Sequence, residues 1–206
     1  MQTMADSARW ESALAGIGRG DLAAVRAAVR FARTALSTPK GVVSYASTLT
    51  FGMPGQAAHG WYLRIDDTDR FAAELVKALR LSRKPAAWRA LAAAGLDMAL
   101  AQASAVQASA QIPDESAARL HFPVTPPTVR HRTIQTAVAT TLEAIVSTDG
   151  GGDPGRSLRT AASGLVREIR DASRPGAGPA TPEVLVVRWR KLGSRLARLR
   201  AELGGN

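Results

Sequence analysis

Apolar residues three and four positions apart recur through most of this chain. The run is most regular between Thr181 and Leu203, where Leu185, Trp189, Leu192, Leu196, Leu199 and Leu203 follow at spacings of 4, 3, 4, 3 and 4. That is the period of one face of an α-helix, and so long a heptad seam must be covered by another apolar face. Shorter seams precede it: Trp10, Leu14 and Ile17; Leu22, Val25, Val29, Ala32 and Leu36; Phe71, Leu75, Val76 and Leu79; Ile134, Val138, Leu142 and Ile145; Leu158, Ala162, Leu165 and Ile169. The expected fold is mainly α, a helical bundle or bundles. Asp21 is placed to cap the second helix and Pro39 to end it, while Asp67 or Thr68 is placed to cap the helix that carries Phe71. Pro85 opens an alanine-rich helix to about Gln107, and Gly150-Gly151-Gly152 stops the helix that begins near Thr128. Asp153 and Pro154 form an N-cap and N1 pair for a helix over Gly155 to Ser173.

One stretch changes period. Val43, Tyr45, Leu49 and Phe51 alternate with Ser44, Thr48 and Thr50, and Trp61, Leu63 and Ile65 alternate with Tyr62, Arg64 and Asp66. The pattern predicts a small two-stranded β-ribbon over about residues 41–65, which is only marginally stable unless it packs on helices or on another subunit. Pro113, Pro123, Pro126 and Pro127 make residues 111–128 an expected linker or extended arm. The chain then divides loosely into helices plus ribbon over 1–110, the arm, and a basic three-helix bundle over 129–206.

Charge is unevenly spread. Of a net +10, residues 156–206 hold 11 Lys+Arg against 4 Asp+Glu, which suits a polyanionic partner, either nucleic acid or an acidic protein surface. Arginine outnumbers lysine 23 to 4. An alanine-, arginine- and glycine-heavy composition is also what a GC-rich genome imposes, so the placement of the cations carries more weight than their identity. Arg188, Lys191, Arg195 and Arg198 lie in a stripe beside the last seam, and Arg156, Arg159, Arg167 and Arg170 lie opposite the seam before it. These eight are the candidate nucleic-acid contacts. Leu185, Trp189, Leu192, Leu196, Leu199 and Leu203 are the candidate partner-docking face.

Catalytic signals are missing. The chain has no cysteine, which excludes disulfides, thiolate metal sites and cysteine nucleophiles. It carries no Gly-x-Ser-x-Gly elbow or Walker loop. His59, His121 and His131 have no zinc-ligand spacing, and Asp66, Asp67 and Asp69 are better explained by helix capping than by a cation. No cofactor or metal is expected, and no enzyme. The N-terminal residues are polar and no run reaches the ~18 apolar residues of a membrane span, so the expectation is a soluble, cytoplasmic protein.

Two functions follow as expectations. The first is a non-enzymatic basic binding protein that contacts nucleic acid non-specifically through its arginine-rich C-terminal helices. The alternative is a structural subunit of a larger assembly or homo-oligomer, such as a phage neck or tail component incorporated in a particle, with ribbon, arm and last helix as contact elements. Over about residues 61–107 the order of strand, helix and alanine-rich helix resembles small phage head–tail joining proteins in outline, without a diagnostic motif.

Overall fold

Capping chemistry or proline sets where most of the helices begin. The computed structural model describes residues 4–46, 62–112, 127–174 and 181–204. Among these residues every regular element is helical: α1 (Met4–Ile17), α2 (Leu22–Ala35), α3 (Pro39–Ala46), α4 (Ile65–Leu81), α5 (Pro85–Ala110), α6 (Pro127–Val146), α7 (Gly152–Ala172) and α8 (Pro182–Gly204). Asp21 caps α2 as the sequence predicts, its Oδ1 accepting from Ala23 N at 2.8 Å. Pro85 occupies the first turn of α5, where its missing N–H has no consequence.

The β-ribbon is a correction. No strand occurs among the described residues, and the first predicted strand begins inside α3. Pro39 opens this helix rather than ending α2, and Thr38 Oγ1 accepts from Gly41 N at 3.1 Å as a local cap. Val42, Val43, Ser44, Tyr45 and Ala46 are all buried. A short helix covered on every side loses the polar face that would reveal its period, and the preference of valine and tyrosine for strands yields to packing. Tyr45 Oη lies 2.7 Å from Thr68 Oγ1 and accepts from Gln102 Nε2 at 3.1 Å, which ties α3 to α4 and α5. The rest of the predicted ribbon, residues 47–61 with His59 and Trp61, lies outside the described residues, as do Pro113 to Pro126 of the predicted arm and His121.

Helix α4 starts earlier than the capping signal suggests. Asp67 is its third residue and reaches back, Oδ2 accepting from Arg64 N at 2.9 Å. Burial pushes the Asp67 carboxyl above the usual aspartate range, partly offset by that hydrogen bond. Since Ile65 is helical, the strand that would open a head–tail joining outline is not present in residues 62–65.

Helix α5 is the axis of the molecule and packs against α2, α4, α6 and α8. Its alanines let neighbours approach closely, and at Gly95 a Cβ would lie 2.7 Å from Leu75 Cδ2 and 3.2 Å from Ile145 Cδ1. The buried apolar side chains of α1 through α8 form one cluster, so packing crosses the loose division at 111–128. The glycine run before α7 is also part of this packing. Gly151 has a φ of +76°, and a Cβ on Gly150 would lie 2.3 Å from Trp88 Cδ1. The chain thus folds flat against the indole, whose Nε1 donates to Thr148 Oγ1 at 3.2 Å. Helix α7 begins at Gly152, so Asp153 and Pro154 stand in its first turn rather than at its cap. Among the described residues no helix is long and apolar enough to cross a membrane.

Candidate polyanion-binding face

The last seam is covered by the protein itself. Leu185, Trp189, Leu192, Leu196 and Leu199 are buried, Leu196 completely, and Leu203 packs partly buried on the same cluster. The covering surface is mainly α5. Asp97, midway along α5, fastens this arrangement by taking Arg200 Nε on Oδ2 and an Arg33 guanidinium nitrogen on Oδ1, both at 3.1 Å, so α2 and α8 are pinned to one carboxylate. The six residues predicted as a docking face therefore already have an intramolecular partner. A heptad seam states that a cover exists and does not say which chain supplies it.

The four α7 arginines divide into two pairs. Residues eleven apart on a helix lie about 20° from one another, which groups Arg159 with Arg170 and Arg156 with Arg167. Arg159 donates to Gly150 O at 2.7 Å, stands 5.6 Å from the Trp88 ring centroid and 3.9 Å from the Asp149 carboxylate. Arg170 makes a two-pronged contact with Glu143 on α6, Nε to Oε1 at 3.0 Å and Nη2 to Oε2 at 2.8 Å. That hydrogen bonding raises the Arg170 pKa further and keeps the guanidinium charged. Arg159 and Arg170 are thus used within the fold. Arg156 is exposed and 3.7 Å from Asp153, and Arg167 is exposed with no carboxylate in ion-pair range among the described residues.

Helix α8 differs. Arg188, Lys191, Arg195 and Arg198 are all exposed and fall within an arc of about 80° over roughly 15 Å of helix. Among the described residues the one carboxylate in ion-pair range of this stripe is Glu168 of α7, whose Oε2 lies 2.5 Å from Arg195 Nη1. Glu168 projects from the opposite side of the α7 seam from Arg159 and Arg170. The eight predicted cations therefore do not form one surface: α8 contributes a stripe of four, and α7 contributes Arg156 and Arg167 on a separate outward face. Glu168 carries a signal in the sequence that can be read afterwards. It stands one residue before the seam residue Ile169, as Arg195 stands one before Leu196, and residues flanking two packed seams are those that pair across helices.

Other polar clusters lead elsewhere. Ser109 Oγ of α5 and His131 Nδ1 of α6 are 3.3 Å apart, but both residues are buried. Asp66 pairs with Arg64 at 3.3 Å while Asp67 holds the Arg64 amide. Among the described residues no group of three His, Asp or Glu side chains stands close enough to hold a metal ion. A groove of about 920 Å³ runs between α1 and α2, floored by Ala13, Gly16, Ala24 and Ala27 beside the Trp10–Phe31 ring pair.

No protein family, curated protein or solved structure matches this chain.

Proposed function

We propose that this protein binds nucleic acid through its phosphates, without sequence selection, along the outward stripe of α8. The observation that carries the reading is that Arg188, Lys191 and Arg198 are exposed and have no carboxylate partner among the described residues, on a helix whose apolar side is already buried. Cations held on a rigid rod at helical spacing neutralise successive phosphates and release their counterions, and such binding is steeply salt-dependent. No base-reading geometry is required, and none is part of the proposal.

The assembly-subunit reading rests on less. It draws on a ribbon whose first residues are helical in α3 and whose residues 47–61 lie outside the described residues, on an arm likewise outside them, and on an apolar seam that α5 covers.

The test is duplex binding by fluorescence anisotropy across a salt titration. Three to four phosphate contacts give a slope of log affinity against log salt of about −2.7 to −3.6. Replacing Arg188, Lys191, Arg195 and Arg198 together by glutamine flattens that slope and weakens binding about a hundredfold at low salt, with the helical circular dichroism unchanged. Equal affinity in the two proteins refutes the reading.

A further inference from the structure

We infer that Glu168 is an intramolecular competitor for the phosphates that α8 binds, an internal anion that occupies Arg195 until a polyanion displaces it. The inference rests on the proposed function above. Its geometry is specific. The Glu168 carboxylate reaches from α7 across to the middle of the α8 stripe and contacts Arg195 Nη1 at 2.5 Å. The acidic residues Asp153 and Asp171 of the same helix instead face arginines three residues on in sequence, Arg156 at 3.7 Å and Arg174, just past the helix end, at 3.1 Å, while Glu143 of α6 is held by Arg170. Glu168 alone among these joins α7 to the stripe.

The pair is built to open. The two side chains are about half exposed, 48% for Arg195 and 56% for Glu168, and an ion pair in that setting is weak and screened by salt. A phosphate that takes Arg195 breaks this pair and leaves the carboxylate bare beside the bound strand, where it repels the phosphates. The lost pair and that repulsion offset the new contact and lower the net charge that the stripe presents, so in the native protein Arg195 adds little net affinity and little salt dependence. With the carboxylate gone, the same arginine adds its full share. Glu168 thereby holds the affinity of the stripe below what its four cations could reach, which suits a protein that must release its polyanion.

The experiment is the same duplex titration on wild type, E168Q, R195Q and the E168Q/R195Q double variant, with thermal unfolding of each as a control for folding. E168Q is expected to bind about two- to fivefold more tightly at low salt and to steepen the salt slope by up to about 0.9. R195Q is expected to weaken binding less than twofold in the native background and several-fold in the E168Q background. Equal affinity and slope for E168Q and wild type, or the same loss from R195Q in both backgrounds, overturns the competitor role. If the variant lacking all four cations loses binding while E168Q matches wild type, the phosphate-binding stripe stands and the role of Glu168 falls. If wild type and E168Q both ignore duplex at low salt, the proposed function fails and takes this inference with it.

Discussion

In α7 the arginines nearest the bundle turn toward it: Arg159 lies over Trp88 with its hydrogen on Gly150 O, and Arg170 grips Glu143. In α8 a stripe of three arginines and a lysine points to solvent, with Glu168 its one carboxylate contact among the described residues. Both helices are amphipathic and both carry cations beside a leucine seam. What separates them is the neighbour on the flank. Helix α7 runs beside α6 and the glycine turn, which offer a carboxylate and a carbonyl, whereas among the described residues the α8 stripe meets only the Glu168 carboxylate. A charge stripe in a sequence is thus an inventory of cations, and its use depends on the acceptors that the fold places within reach.

The most forceful way to break this comparison is to attack the seam beneath the α8 stripe. With Leu196 fully buried, Leu196→Ala should lower unfolding stability by about 2–5 kcal/mol, read from chemical denaturation. A loss below about 1 kcal/mol would mean that in solution the seam does not sit on α5 and is free to serve a partner. Next in size is the inward pair. Arg159→Ala removes a charge-assisted hydrogen bond to a buried turn and the cation over Trp88, and should cost about 1.5–3 kcal/mol. Quenching or a shift of tryptophan emission would accompany it. Arg170→Ala should cost less, about 0.5–1 kcal/mol, because its pair with Glu143 is some two-fifths exposed on each side. A double-mutant cycle with Glu143→Gln isolates that coupling. If either variant weakens duplex binding as much as it weakens the fold, the division between inward and outward arginines is wrong.

How legible all this is in the sequence follows from the same physics. Periodicity three and four places α1, α2, α4, α7 and α8 within a few residues, since each has one buried and one solvated face; α6 is legible from its Ile134, Val138, Leu142 and Ile145 seam although its other side is only half-buried rather than solvated. Periodicity fails at α3, where Val42 to Ala46 are buried all round and the solvated face that marks a period does not exist. Pro39 was ambiguous for a related reason. Proline ends one helix or begins the next, and only the Thr38 hydroxyl on the Gly41 amide decides between them. The glycine run read as a stop, because nothing near it in sequence announces Trp88, more than sixty residues earlier. The seam and the stripe of α8 were both legible as patterns. Their partners were not, since Asp97 and Glu168 meet α8 only through tertiary packing.

The smallest expected effect is the one that tests the boundary of the site. Arg156 and Arg167 point outward from α7, and neither is needed by the fold: Arg156 has only a loose, fully exposed contact with Asp153, and Arg167 has no carboxylate in range among the described residues. Replacing both with glutamine should change stability by less than about 0.5 kcal/mol. Their face lies about 100–120° around α7 from Glu168, turned away from the α8 stripe, so a duplex seated on α8 along its axis has no reason to meet them. The salt slope of duplex binding should then stay where wild type sets it. A slope flatter by about 0.9 for each arginine removed would mean instead that the polyanion wraps from α8 over α7. In that case Glu168 would lie beneath the bound strand rather than at its edge, and displacing it would become a condition of binding rather than a brake on it.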